Sequence, residues 1–469
     1  MTDDAHPFQA RFSVIVGMGR SGIGAARLLA TRGERVLLME SRQTPELEQT
    51  AQQLRAEGVE VALGTPLRLE SFSALIPSLT NVVVSPGIPW DHAVLQALRQ
   101  QGVPVCGELS VAWEFSRAIP WIGITGTNGK TTVTHLVAHL LERAGLDAPM
   151  GGNVGRSAAE LMIERQIQGA AVPDWLVVEL SSYQIEASPE LAPQIGLWTT
   201  LTPDHLERHG TLANYRTIKR GLLNRCEKRI LNADDPDLLA HAASWDRADW
   251  VTAGRRQQLP VGLTALLWVE EGVVHGNAGP LFPADCLQMP GSHNRQNMLM
   301  AAAVGLKLGI EASVMEAAFR CFPGVPHRLE KIRDLAGASW YNDSKATNYD
   351  AAEVALAALP SPMVVLAGGQ VKQGDPKAWL KALDRQAGAV VLYGEAREKF
   401  AAMLASSGYS GEVHEWEGLT EAVAEAGRLV ASGDYRTVLL SPACASFDQY
   451  GDFEARGDHF RSLVKALEP

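Results

Sequence analysis

The chain has 469 residues, enough for about three domains, and is 46% hydrophobic and 20% charged, as globular proteins with full-sized cores are. Forty-two basic residues against 53 acidic ones leave a net charge of −11, which argues against a nucleic-acid surface and leaves anionic ligands to helix N-termini and single Lys or Arg side chains. Five scattered cysteines without a C-x-x-C pair, an acidic opening unlike a signal peptide, and no apolar run near about 18 residues together predict a soluble, cytoplasmic protein with reduced thiols.

Phe12 to Val16 reads as a buried strand, followed by Gly17-Met18-Gly19-Arg20-Ser21-Gly22, a short amphipathic helix to Gly33, and a second strand ending at Glu40. This is G-x-G-x-x-G in a βαβ setting with an acid about 20 positions on, the fingerprint of dinucleotide binding. The physics is broader than that: the glycines permit a tight turn, and the helix N-terminus takes the diphosphate of any nucleotide. An NAD-linked oxidoreductase is therefore one open reading. Asn81 to Val84 adds a strand ending in Ser85-Pro86-Gly87-Ile88, and Val103 to Cys106 closes a first domain at about residue 107.

Trp121 to Ile124 is an apolar run leading into Thr125-Gly126-Thr127-Asn128-Gly129-Lys130-Thr131-Thr132. A helix follows, with Val133, Leu136, Val137, Leu140 and Leu141 on one face and Gly145 at its end. Strand, glycine-rich loop, Lys-Thr and helix are the parts of a P-loop, although Ile124 stands where the usual pattern has its first glycine. Backbone N–H groups would surround phosphate oxygens, Lys130 would reach the β- and γ-phosphates, and Thr131 would ligand Mg²⁺. An ordinary glycine-rich turn before a buried helix is the bland alternative.

Gly151 to Gly155 reads as an irregular loop, and Trp175 to Glu179 as a buried strand ending in a carboxylate, which beside a P-loop can hold Mg²⁺ or serve an ion pair. Ile195 to Thr200 is a strand running into Thr202-Pro203-Asp204-His205, where Pro203 turns the chain at the carboxyl end of the sheet. Tyr215 to Lys219 opens a helix, Leu267 to His275 is a hairpin in a β-rich stretch, and His293-Asn294…Asn297 begins another helix. Glycine and proline at 324–326 end this second domain. In the third, strands end at Asn342-Asp343-Ser344-Lys345-Ala346-Thr347-Asn348, at Gly368-Gly369-Gln370-Val371-Lys372 and at Ser441 to Asp448. Alternating strands and helices predict mostly parallel, doubly wound sheets. The expected fold is α/β in three domains: Rossmann-like over 1–107, P-loop ATPase-like over 108–324, and Rossmann-like again over 325–469.

Taken together, Thr125 to Thr132, Glu179-Leu180-Ser181-Ser182-Tyr183-Gln184, Asp204-His205, His293-Asn294…Asn297 and His327-Arg328 resemble the Mur ligases. These are ATP-dependent amide ligases that build the peptide stem of peptidoglycan and are related to folylpolyglutamate synthetase. Asn342 to Asn348 and Leu440 to Ser446 are similar to the members that join D-glutamate to UDP-N-acetylmuramoyl-L-alanine, rather than to those that add another amino acid. The resemblance implies that Gly126, Thr127, Asn128, Gly129, Lys130, Thr131 and Thr132, with Asn294, Asn297, His327, Arg328 and Asp343, bind ATP. It implies two Mg²⁺ ions, one at Thr131 and Glu179 and one at His205 and Lys219, with Lys130, His205 and Lys219 as the catalytic group. A lysine ammonium repels a cation, and the family's answer is carbamylation, which makes Lys219 an anionic oxygen ligand. The UDP end of the substrate would meet Arg20, Ser21, Glu40, Ser41, Arg42, Ser85 and Gly87, and Asn153 would face the muramoyl part. D-glutamate would meet Lys345, Thr347, Lys372, Ser446 and the backbone of Phe453. Where the family often shows Gly-Gly-x-Asp-Lys, this chain has Val371 before Lys372. The expected partners are small molecules only, with the chain acting as a monomer. The alternative is a related Mur or folylpolyglutamate-type ligase that adds another amino acid, with a P-loop ATPase without ligase activity and an NAD-linked oxidoreductase as more distant rivals.

Overall fold

The computed structural model describes residues 12–468 except 168, 170, 261, 264, 290, 372 and 373. The chain divides into two compact units, residues 1–288 with 292–322 and residues 289–291 with 323–469. The first carries two sheets, the second one.

The first sheet has five parallel strands in the order Glu60–Ala62, Arg35–Met39, Phe12–Val16, Leu79–Val84, Val105–Gly107. All five residues of Phe12–Val16 are buried, as an apolar run in the middle of a two-sided parallel sheet must be. Strand order reverses between Phe12–Val16 and Leu79–Val84, so the loops leaving their carboxyl ends splay apart and leave a crevice. The helix Arg20–Thr31 starts at that crevice with no acidic residue in its first turn. Gly22 has to be glycine: a Cβ there would overlap the Gly17 carbonyl oxygen, so the helix could not approach the strand.

The second sheet has nine strands, in the order Gly279–Pro283, Val273–Gly276, Ala265–Glu270, Ala248–Val251, Lys228–Asn232, Ile195–Trp198, Trp121–Thr125, Leu176–Glu179, Met150–Gly152. The first three form an antiparallel edge, including the expected hairpin with Trp268 opposite His275, and the rest are parallel. Two expectations fail here. Gly151-Gly152 is not irregular, because Met150–Gly152 pairs with Leu176–Glu179 as the far edge strand. A Cβ on Gly152 would overlap the Glu179 carbonyl oxygen, so the glycine that looked like a loop signal serves a close backbone approach. The helix expected from Tyr215 begins earlier, at Leu212, because the Thr211 hydroxyl caps it by accepting from the Asn214 N–H.

The second unit holds six strands in the order Glu330–Leu335, Ala338–Asn342, Thr437–Leu440, Met363–Gly368, Ala387–Tyr393, Glu412–Trp416, all parallel except the first pair. Each face has its own apolar core, one around Trp379, Phe400 and Leu439 and the other around Trp340, Leu440 and Phe460. The loops after Ala338–Asn342, Thr437–Leu440 and Met363–Gly368 leave three adjacent strands at their carboxyl ends. Among the described residues no helix is long and apolar enough to cross a membrane.

Candidate active site

A cavity of about 640 Å³ occupies the crevice of the first sheet and reaches the edge of the second. Its lining includes all eight residues expected at the nucleotide-sugar site: Arg20, Ser21, Glu40, Ser41, Arg42, Ser85, Gly87 and Asn153. Glu40 is buried at its floor. Burial pushes its carboxyl up, but hydrogen bonds from the Met18 N–H at 2.9 Å and the Arg42 N–H at 3.1 Å outweigh this, with help from the Arg42 guanidinium, and the pKa falls below the ordinary carboxylate value. The acid at the end of the second strand therefore clamps the Met18 loop and the Arg42 side chain. Two guanidinium groups and a free helix N-terminus then face the cavity, which suits a diphosphate despite the chain's overall negative charge.

At its other end the cavity is bounded by Gly152, Asn153 and Gln184. The Asn153 amide donates to Glu179 Oε1 at 2.9 Å. Glu179 is 2% exposed, and its Oε2 has no hydrogen-bond partner among the described residues. A buried carboxylate oxygen without a partner at a strand end is free to accept from a ligand, and a hard cation that also binds phosphate oxygens would fit it.

The next strand, Trp121–Thr125, leads into the glycine-rich loop, and the helix Lys130–Arg143 begins behind Gly129, whose φ is +82°. A side chain at Gly129 would collide with Asn297 Oδ1, so the loop passes tightly beneath the helix Ser292–Lys307. Asn297 donates to Asn294 Oδ1 at 3.1 Å, and both are buried. The Thr127 N–H donates to the Thr200 carbonyl at 2.8 Å and the Asn128 N–H to the Thr200 hydroxyl at 2.9 Å, which sets the loop's arch. Lys130 Nζ folds back to the carbonyls of Gly126 at 3.0 Å and Thr127 at 2.8 Å. Thr131 and Thr132 are buried in the first helical turn.

Lys219, on the helix Leu212–Arg225, is 1% exposed and reaches the same loop, donating to Thr125 Oγ1 at 3.1 Å and Gly126 O at 3.0 Å. Burial first, and Lys130 second, hold its pKa well below the ordinary lysine value, against the opposing pull of Asp204 and Glu179. His205 is half-exposed in the left-handed region at φ 53°, 3.4 Å from Asp204, with its ring 5.2 Å from that of Tyr183. His209 joins these parts and escaped the sequence reading. It is buried, shares a 2.9 Å hydrogen bond with the Ser182 hydroxyl and stacks on Tyr215 at 5.3 Å, while the Tyr215 ring lies 4.6 Å from Lys219 Nζ. As the last residue of the short helix Leu206–His209, it gave no pattern to read.

The second unit gathers its own set. Asp343 is buried, and burial pushes its pKa up to about 7 although Arg328, the Leu329 N–H and the Ser441 hydroxyl pull the other way. His327, at φ 60°, shares a 3.1 Å hydrogen bond with the Asn342 amide. Burial, then Arg461, hold its pKa below the ordinary histidine value. Lys345 N donates to the His327 carbonyl at 3.0 Å, and its Nζ lies 5.6 Å from the Phe453 ring. Thr347 N donates to the Lys345 carbonyl, Ser446 is buried, and Phe453 is the first residue of the helix Phe453–Ala466. Lys372, expected with them, lies outside the described residues. Arg456 was not anticipated. Wholly buried, it donates to Ser344 Oγ at 2.9 Å, the Ser344 carbonyl at 2.8 Å and the Cys444 and Ala445 carbonyls at 3.2 Å, and so ties together the loops that carry Lys345 and Ser446.

A P-loop, a strand-end carboxylate and a nucleotide-sized crevice together define an enzyme that works on phosphorylated substrates. Residues 11–107 match the Mur ligase MurD-like N-terminal domain, 124–305 the Mur ligase middle domain and 327–444 the Mur ligase glutamate ligase domain. A UDP-N-acetylmuramoylalanine–D-glutamate ligase of Prochlorococcus marinus is 55% identical over 461 residues, covering 97% of this chain and 98% of its own. The protein of the same name from Thermosynechococcus vestitus is 46% identical over 458 residues, covering 97% and 99%. The solved UDP-N-acetylmuramate–alanine ligase of Thermotoga maritima shares the fold at 19% identity, with a TM-score of 0.59 over 97% of this chain and 99% of its own. The chain belongs to the Mur ligase family, whose members are ATP-dependent ligases.

Proposed function

We infer that this chain joins D-glutamate to the alanyl carboxylate of UDP-N-acetylmuramoyl-L-alanine, converting ATP to ADP and phosphate. The relatives named for that reaction support the choice of substrates. The observation that carries it is one continuous cavity lined by both Arg42 and Asn153, the latter's amide gripping Glu179. A nucleotide-sugar laid in it with its diphosphate at the Arg20 helix N-terminus would present its far end to Glu179.

A carboxylate resists attack by an amine because oxide is too poor a leaving group. Its oxygen must first attack the γ-phosphorus of ATP, breaking the bond to the β-phosphate and releasing ADP. The glutamate amine, having lost a proton, then attacks the carbonyl carbon of the acyl phosphate; the C–O bond to phosphate breaks, and the second proton given up by the nitrogen leaves with the phosphate. Lys130 would leave the loop carbonyls to screen the meeting of two anions, and the loop N–H groups would hold the transferred phosphoryl. Thr131 and Glu179 would hold one Mg²⁺, and Lys219, as a carbamate, would hold a second with His205; such ions would supply further charge neutralisation. A buried amine of lowered basicity is the form that combines with CO₂, which supports the carbamate reading. Asn294, Asn297, His327, Arg328 and Asp343 would bind the nucleotide of ATP. Lys345, Thr347, Lys372, Ser446 and the Phe453 N–H would bind D-glutamate.

The test is ADP release by the purified protein with ATP and Mg²⁺. Release that requires both UDP-N-acetylmuramoyl-L-alanine and D-glutamate supports the reading, and release indifferent to either would overturn it.

A further inference from the structure

The helix Leu206–His209 has four residues, against the roughly 12 or more that a helix needs to persist by itself in water. It nevertheless fixes His205, which stands just before it in the left-handed region and whose carbonyl accepts from the Arg208 and His209 N–H groups at 3.0 Å. Side chains must therefore hold this turn in place. Its last two residues both reach the five-residue helix Ser182–Glu186. His209 meets Ser182 at 2.9 Å, and Arg208 donates from Nη2 to Glu186 at 3.0 Å. The Arg208 guanidinium also lies 5.7 Å from the Tyr183 ring, which packs on the His205 ring. Its Nη1 goes elsewhere, to Asp91 Oδ1 at 2.8 Å. Asp91 belongs to the loop between Leu79–Val84 and the helix Ala93–Gln100, and residues of that loop from Ser85 to Pro89, with His92, line the cavity. The two arms differ in strength. The Glu186 side chain is 23% exposed, whereas that of Asp91 is 74% exposed, so solvent weakens the second pair.

We propose that Arg208 is a positioning residue that ties the His205 turn to the loop lining the cavity, so that filling the nucleotide end of the cavity steadies His205. The inference rests on the reading of the cavity given above. The Glu186 arm holds the turn. The Asp91 arm carries the influence of the ligand: a nucleotide that fixes the Ser85–His92 loop fixes Asp91, and the guanidinium passes that constraint to the residues around His205. Arginine suits this place because its planar fork meets two carboxylates at once, which the single ammonium of a lysine does less well.

Hydrogen exchange of the Arg208, His209 and Gly210 amides, which donate to the His205 and Leu206 carbonyls, reads the turn directly and needs neither ATP nor a metal. UDP alone is the probe, because a nucleotide without its sugar and acyl parts does not reach the turn. In the parent, saturating UDP should slow this exchange by about threefold or more. Asp91→Ala cuts the weak arm alone, so exchange without UDP should stay within about twofold of the parent and the slowing by UDP should vanish. Arg208→Lys should behave as Asp91→Ala does. Arg208→Ala removes both arms but leaves Arg99 acting on Glu186, so the fold should survive. Exchange should then rise in this segment alone, and kcat should fall by about tenfold or more while the KM for ATP holds. No slowing by UDP in the parent, or equal slowing in Asp91→Ala, would overturn the proposal. So would an Arg208→Ala protein whose exchange rises throughout the first unit with kcat unchanged, since Arg208 would then serve only the fold. Arg42→Ala checks the underlying reading separately. If calorimetric affinity for UDP survives that change, the cavity is not the nucleotide site; if it falls while Asp91→Ala responds as the parent does, only the role of Arg208 is lost.

Discussion

Lys219 Nζ sits 3.1 Å from the Thr125 hydroxyl, at the point where the strand Trp121–Thr125 becomes the glycine-rich loop. A lysine 1% exposed at this place, with Lys130 lowering its pKa further, has little reason to stay an ammonium. If it works as a carbamate, the lysine stem only sets the reach of an oxygen anion. Lys219→Ala should then retain its fold by circular dichroism and lose nearly all ligase activity. Acetate should restore part of the rate and methylamine should not. Rescue by the amine instead would mean that the residue acts as a cation.

Lys130 at present gives its hydrogens to two loop carbonyls. Phosphate oxygens would be better acceptors for a charged donor. Lys130→Ala should abolish ADP release, by at least about a hundredfold, while leaving calorimetric binding of UDP-N-acetylmuramoyl-L-alanine within about twofold of the parent. Normal turnover would remove the loop from the chemistry.

Much of this arrangement could be read in the chain itself, because the loops at the carboxyl ends of parallel strands carry unusual residues in short, contiguous runs. Arg20 and Ser21 sit at the start of a helix that follows a glycine turn, and Lys130 and Thr131 repeat that logic. What escaped the reading has a physical cause. Gly152 looks like a loop residue because glycine serves both loops and close strand approach, and only the pairing with Glu179 distinguishes them. Glu412–Trp416 was missed because an edge strand with mostly exposed side chains has no apolar run to announce it. His209 and Arg456 matter through partners 27 and 112 residues away in sequence, and no local pattern encodes such contacts.

Glu179 is held by Asn153 on one oxygen and left bare on the other. Glu179→Gln keeps the size and the contact with Asn153 but removes the charge that would attract a cation. Titration of the rate with Mg²⁺ should show half-saturation displaced upward by about tenfold or more, with UDP affinity unchanged. A parallel loss at every Mg²⁺ concentration would instead assign Glu179 to structure.

Glu108 tests the electrostatics of the first unit away from the chemistry. It follows the strand Val105–Gly107 and is 3% exposed; Oε1 accepts from the Ala159 N–H at 2.7 Å, and Oε2 has no partner among the described residues. Burial raises its pKa from 4.5 to about 7, with Glu160 adding to the rise and the Ala159 N–H and Arg20 opposing it. The folded chain therefore holds a proton that the unfolded chain releases near pH 4.5. The stability this proton represents is complete below the unfolded pKa and is lost as pH rises through about 7. A shift of this size corresponds to about 3 kcal/mol at most. Glu108→Gln keeps an oxygen for Ala159 and cannot ionise, so its Tm should fall less between pH 5 and pH 8 than that of the parent. The two proteins should differ least near pH 5 and most near pH 8, with the glutamine form gaining relative to the parent as pH rises. Parallel curves across this range would mean that Glu108 ionises as freely in the folded chain as in the unfolded one.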